Sequence, residues 1–210
     1  MENRITDTKI KICGLRRRED ILAVNEAKPD FCGFVMEVPG RFRSVTRDRA
    51  RELVSGLDRR ILPVGVFVNA LPETVAELLN DGTFALAQLH GQEDEAYIKE
   101  LRILTGKPLI QAFSIRSEED VERALKSSAD YILLDQGGGG TGKAFDWNLV
   151  TKMNRNFFLA GGLGVENLAA AVKKLHPFAV DVSSGVETDM WKDPEKIRLA
   201  VERVRAAGRA

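Results

Sequence analysis

The sequence predicts an α/β protein: a single (β/α)8 barrel over residues 1–210, with a closed eight-stranded parallel sheet inside a ring of helices. Three observations predict it. Short apolar runs alternate eight times with longer amphipathic stretches. The apolar runs, LPVGVFV (62–68) and YILLD (131–135) among them, are nearly unbroken, as parallel strands buried on both faces must be. The glycine-rich loops come late, after the sixth, seventh and eighth runs, whereas an open doubly wound sheet carries its glycine fingerprint after the first strand.

The apolar runs place strands at 9–13, 31–36, 62–69, 86–90, 109–114, 131–135, 157–160 and 179–183. Between them, apolar residues at three- and four-residue spacing with charges interposed predict helices at 19–27, 47–57, 73–79, 93–104 and 118–126. A shorter helix is expected at 147–154, and two more at 165–175 and 194–206 complete the set. Thr46, Ser117 and Asp193 stand where N-caps belong, the last before a proline at the first helical position. The alternation contains no strand–strand hairpin, which implies a parallel sheet. No linker or low-complexity stretch interrupts it, and 210 residues is near the lower end for such a barrel.

Composition narrows the partners. Lys plus Arg and Asp plus Glu each number 31, so the formal net charge is zero and nothing asks for a nucleic acid or an anionic membrane. A small-molecule substrate is expected, with any anion held by a local site. With two cysteines outside any C-x-x-C pair and two histidines, no metal and no cofactor is expected. The polar start MENRITDTKIKIC has no secretory signal character, so a cytoplasmic protein with free thiols is expected. A monomer is the working expectation.

Active sites of such barrels are built at the C-terminal ends of the strands, so polar residues that close an apolar run carry the information. GGGGTGK (137–143, containing Gly140) follows the sixth strand, Gly161 and Gly162 the seventh, and Ser183-Ser184-Gly185 the eighth. Backbone N–H groups reach an anion closely where no side chain intervenes, and loops seven and eight are the usual phosphate site of this fold. One such loop alone could be a simple turn; three at adjacent strand ends favour a phosphate. Cys13 ends the first strand and is either a small core hydrophobe or a catalyst, whereas Cys32, near the start of its strand, belongs to the core. Asp135 ends YILLD and must find hydrogen bonds as a loop cap or do chemistry. His90 is a ligand contact or a satisfied loop histidine. Asp181 lies on the eighth strand beside the serines. His176 is given no role.

These residues fall in segments that together resemble the phosphoribosylanthranilate isomerase family, whose members are TIM barrels: KICGL (11–15), QLHG (88–91), LLDQGGGGTGKAFDW (133–147), LAGGL (159–163) followed by Glu166-Asn167, and DVSSGVE (181–187), in matching order and spacing. The resemblance implies an Amadori rearrangement of N-(5-phosphoribosyl)anthranilate in tryptophan biosynthesis, without cofactor. It implies Cys13 as general base, Asp135 as general acid, an arginine after the second strand for the anthranilate carboxylate, and the glycine and serine loops for the phosphate. A protonated aspartate needs a raised pKa and a cysteine base needs a positive field. Arg16, Arg17 and Arg18 could supply that field or sit solvated at the helix start, which is the preferred placement. Lys9 and Lys11 precede Cys13 within the strand and are given no catalytic part.

Two loops depart from the family. MEVPGRFRSVT (36–46) lacks its usual Ser-x-Arg; Arg43 aligns best with the carboxylate-binding position, Arg41 competes, and Glu37 is out of place beside an anion site. After DVSSGVE the chain has Thr188-Asp189-Met190-Trp191 where the family commonly has Pro-Gly, so this loop is expected to differ in shape. The competing functions are another phosphosugar enzyme on the same barrel, either a metal-dependent epimerase or an indole-ring-forming synthase, and a barrel that binds phosphorylated ligands without turnover.

Overall fold

The structure, a computed structural model, describes residues 7–136, 146–151 and 153–208. Eight strands form the barrel: β1 (Lys9–Cys13), β2 (Phe31–Met36), β3 (Leu62–Phe67), β4 (Leu86–Leu89), β5 (Leu109–Ser114), β6 (Tyr131–Asp135), β7 (Phe157–Leu159) and β8 (Ala179–Val182). Each pairs in parallel with the next, and β8 pairs back onto β1 through Lys11 opposite Asp181, which closes the sheet. Every strand therefore ends at the same rim. Helices α1 (Arg18–Ala27), α2 (Arg47–Ser55), α3 (Pro72–Asn80), α4 (Glu95–Leu104), α5 (Glu118–Leu125), α6 (Leu168–Leu175) and α7 (Pro194–Gly208) lie outside.

The expected caps form. The Thr46 hydroxyl accepts from the Arg49 N–H at 3.3 Å, and Asp193 Oδ1 accepts from the Glu195 and Lys196 N–H groups at 3.0 and 3.2 Å. At the start of α5, Asp120 Oδ2 accepts from the Ser117 N–H at 3.1 Å. Two expectations are corrected. The helix foreseen at 147–154 is a 3-10 turn, Trp147–Val150, begun by Asp146 accepting from the Asn148 N–H at 2.9 Å. The sequence after β8 holds a small antiparallel hairpin, Glu187–Thr188 against Trp191–Lys192, although no hairpin was expected. Its tip residues Asp189 and Met190 both have positive φ, 49° and 65°, the arrangement of a two-residue hairpin turn. A further two-residue strand, Ser44–Val45, runs along β2 and orders the loop that carries Arg43. The glycine run 137–143, with Gly140, lies outside the described residues.

Strand alternation sorts the side chains into two cores. Ile10, Ile12, Cys32, Phe34, Ile132, Leu134, Val180 and Val182 pack outward against the helices. Phe31, Val64, Leu86, Ile110, Leu133, Phe158 and Ala179 point inward and fill the lower barrel. Aromatic contacts tighten this floor: the Phe31 and Phe158 rings meet edge-on at 5.4 Å, and Tyr131 stacks on Phe178 at 4.9 Å. The Lys9 ammonium sits 5.1 Å from the Phe178 ring. Among the described residues no helix is long and apolar enough to cross a membrane.

Candidate active site

The inward parity that builds the apolar floor also selects what stands above it. Counting in twos from floor residues, Leu86 leads to Gln88 and His90, Leu133 to Asp135, Phe31 to Gly33 and Ala179 to Asp181. On β1 the same parity gives Lys11 and Cys13. Cys13, His90, Asp135 and Asp181 are thus gathered at the C-terminal rim.

Lys11 is fully buried and donates to Asp181 Oδ2 at 2.9 Å. Its ammonium also lies beside the Cys13 thiol, both groups lining the space in front of Gly33. An unpaired ammonium here would be costly; burial works to lower the Lys11 pKa, but Asp181 and then Cys13 outweigh it and hold the pKa above its ordinary value. At Cys13, burial pushes the thiol up, Lys11 pulls it down, Asp181 adds to the rise and Lys192 opposes it, with a net upward shift. Gly33 faces Cys13 across the ladder. A methyl group there would stand 2.6 Å from Cys13 Sγ and 2.9 Å from Lys11 Nζ, so only glycine leaves room for the pair. The three arginines after Cys13 are engaged elsewhere. Arg16 lies over Trp191 and donates to the Phe42 and Met190 carbonyls, Arg17 pairs with Asp20, and Arg18 pairs with Glu52. Among the described residues, the cations that act on Cys13 are Lys11 and Lys192, and the sequence reading missed both. For Lys11 the signal was present: in KIKIC, Lys11 and Cys13 share one face.

Asp135 ends β6. Its Oδ1 accepts from the Gln136 N–H at 2.7 Å and its Oδ2 stands 3.6 Å from His90 Nε2. His90 Nδ1 is held by the Gln88 amide at 2.7 Å. Gly161 has φ of 83°, and a methyl on it would come within 2.6 Å of Asp135 Oδ1, so this glycine makes room for the acid.

The loops after β7 and β8 converge. Gly164 bridges Gly185. The Asn167 amide donates to the Gly162 carbonyl at 2.8 Å and accepts from the Gly164 N–H at 2.9 Å, which shapes the 161–167 turn. The Ser183 hydroxyl donates to the Cys13 carbonyl at 3.0 Å, so the serine loop adjoins the thiol's strand end. Asp181 Oδ1 is buried and has no hydrogen-bond partner among the described residues.

Arg43 and Arg41 separate. Arg41 is exposed. Arg43 turns inward, with its Cδ 2.6 Å from where a methyl on Gly14 would stand, immediately after Cys13. Its guanidinium grips Glu187 through Nε and Nη2, at 2.8 and 2.5 Å. Glu37 points away and pairs with Arg47 at 3.0 Å. Cys32 is in the outer core and burial pushes its thiol far up. His176 closes α6 in a left-handed conformation and is exposed. Among the described residues no three His, Cys, Asp or Glu side chains converge in a way that could hold a metal ion.

Residues 10–203 match the family model for N-(5'-phosphoribosyl)anthranilate (PRA) isomerase. The chain is 45% identical over 202 residues to the N-(5'-phosphoribosyl)anthranilate isomerase of Endomicrobium trichonymphae, covering 94% of this chain and 98% of that one. The crystal structure of phosphoribosyl anthranilate isomerase from Thermotoga maritima superposes with a TM-score of 0.86 at 35% identity, covering 95% of this chain and 99% of the other. A phosphoribosyl anthranilate isomerase in complex with reduced 1-(o-carboxyphenylamino)-1-deoxyribulose 5-phosphate superposes with a TM-score of 0.83 at 33% identity, over the same shares.

Proposed function

Because this chain belongs to the N-(5'-phosphoribosyl)anthranilate isomerase family, we propose that it converts N-(5'-phosphoribosyl)anthranilate to 1-(o-carboxyphenylamino)-1-deoxyribulose 5-phosphate in tryptophan biosynthesis, with Cys13 as general base and Asp135 as general acid. The observation that carries the assignment is the placement of the Cys13 thiol beside the Lys11 ammonium at the rim where Asp135 ends β6. A thiol that must give up its proton gains from an adjacent cation. Asp135 gives its proton to the furanose ring oxygen as the C1'–O bond breaks, and the anilino nitrogen lone pair forms the C1'=N iminium. The Cys13 thiolate then removes the C2' proton. The C–H electrons form C1'=C2' and the iminium π electrons return to nitrogen, giving an enolamine. Protonation at C1' and loss of the 2'-hydroxyl proton complete the ketone, so C1' is reduced and C2' oxidised with no external redox partner.

The remaining residues take binding roles. Backbone N–H groups of Gly162, Ser183 and Ser184, with Gly140 from the loop after β6, hold the phosphate. Gly161 leaves space for the acid, and His90 contacts the ligand beside Asp135. The unpartnered Asp181 Oδ1 accepts a hydrogen bond from a donor on the sugar or the amine. Arg43 holds the carboxylate. A monomer is our reading of the active form, and the two free thiols suit the cytoplasm. The test is turnover: the purified protein should consume the fluorescent anthranilate adduct. No fluorescence loss while the product still binds would instead mark a ligand-binding barrel without activity.

Arg43 and Arg41 make a matched pair of variants. A charge-assisted hydrogen bond is worth roughly 1.5–3 kcal/mol, so Arg43→Ala should raise KM about 10- to 150-fold. Its kcat should change little, because the carboxylate contact is equal in ground and transition states. Arg41→Ala should leave both constants near the parent values. Steady-state kinetics decide it, and a larger KM effect at Arg41 would reverse the assignment.

A further inference from the structure

We infer that Glu187 is a positioning residue for the substrate carboxylate: it clamps one edge of the Arg43 guanidinium so that the other edge meets the ligand. The inference rests on the reading of Arg43 as the carboxylate receptor. A guanidinium has five N–H donors in a rigid fork. Glu187 engages the Nε and Nη2 edge at 2.8 and 2.5 Å. The Phe42 ring covers a face, with its centroid 4.2 Å from Cζ. The Arg43 stem lies against Gly14, beside the proposed base. Among the described residues Nη1 has no partner, and it is the edge left to bind a second carboxylate.

The charge balance points the same way. Glu187 does not neutralise the receptor, because its Oε1 also accepts from Lys192 Nζ at 2.7 Å, and Lys192 further donates to the Ser183 carbonyl at 3.0 Å. Side-chain exposure is 8% for Glu187 and 1% for Lys192, so the cluster is largely shielded from water. Among the described residues of the cluster two cations, Arg43 and Lys192, face one carboxylate, and a substrate carboxylate on Nη1 would balance these charges. The hairpin 187–192 is the element that holds Glu187 and Lys192 in place, and Arg16 ties it to the loop of Arg43 by donating to the Phe42 and Met190 carbonyls at 3.1 Å each. A preformed receptor of this kind lowers the ordering cost of binding.

The opposite arrangement makes an opposite prediction. If Glu187 merely plugged Arg43 and had to be displaced by substrate, removing its charge would tighten binding. Glu187→Gln should therefore be assayed with the anthranilate adduct and with N-(5-phosphoribosyl)aniline, which lacks the carboxylate. With the anthranilate adduct, KM should rise on the order of tenfold, the loss of one charge-assisted hydrogen bond, with kcat little changed. With the aniline analogue, used as substrate or as competitive inhibitor, variant and parent should be alike. Glu187→Asp, which keeps the charge but shortens the reach, should fall between, and it serves as the test protein if Glu187→Gln does not fold. An unchanged or lower KM with the anthranilate adduct, or an equal loss with the aniline analogue, overturns the inference. If Arg43→Ala itself leaves KM unchanged, it is the parent reading of Arg43 that fails.

Discussion

Cys13→Ala is expected to lower kcat by about 10²–10⁴-fold, the usual contribution of a positioned general base, while the protein keeps its fold. The fold should survive because the neighbouring charges do not depend on the thiol. Lys11 remains paired with Asp181 at 2.9 Å, and β1 keeps its ladders to β2 and β8. Loss of one sulfur from a buried site should cost on the order of 1 kcal/mol. The pH profile carries a second readout. Burial, the largest influence, pushes the thiol up, and Lys11 pulls it back without cancelling the rise. The thiolate fraction therefore grows as pH climbs through and beyond the ordinary thiol range, and kcat/KM should climb with it. Lys11→Met removes the cation that favours the thiolate, so the climb should move to higher pH. Alkylation of Cys13 by iodoacetamide, followed against pH, should move in the same direction without reference to turnover. A Cys13→Ala protein with parental kcat would remove the thiol from the chemistry.

Much of this was legible from the residues, and what was not has physical reasons. Strands buried on both faces are nearly continuous apolar runs, so β1, β2, β5 and β6 fall where the apolar runs of the sequence place them. Residues that close such runs are conspicuous, which is why Cys13, His90 and Asp135 stood out. Lys11 did not, because a lysine inside a strand reads as an exposed residue unless the period of two is followed inward from Cys13. Its tolerance depends on Asp181, which is 170 residues away in sequence and opposite only once the barrel closes. The hairpin after β8 was missed for a different reason. Two-residue hairpins usually announce themselves with Asn-Gly or Asp-Gly, and here the tip is Asp189-Met190, with a methionine at φ 65°. The Arg43–Glu187–Lys192 cluster depends on that hairpin and was hidden with it. The helix expected at 147–154 gives way to a 3-10 turn capped by Asp146, because its amphipathic pattern spans barely two turns.

Asp135→Asn should cripple kcat as severely as the cysteine change, by about 10²–10⁴-fold, with little change in melting temperature. The isosteric amide separates the chemistry from the architecture. Asp135 Oδ1 accepts from the Gln136 N–H at 2.7 Å, and an asparagine oxygen can accept the same bond. The space beside it, opened by the glycine at 161, suits an amide as well as a carboxyl. The amide cannot hand a proton to the ring oxygen, so ring opening would have to proceed without an acid. A purely structural aspartate predicts the reverse pattern, in which the weaker charge on the acceptor lowers the melting temperature and spares turnover. Measuring kcat and melting temperature on one preparation distinguishes the two, and a stable protein with parental kcat would exclude Asp135 as the acid. His90 offers a check on where the proton goes. Its Nε2 stands 3.6 Å from Asp135 Oδ2, so the imidazole and the acid flank one spot at the rim. A product-analogue complex should therefore place the open-chain C4' hydroxyl, the former ring oxygen, within hydrogen-bond reach of the Asp135 carboxyl.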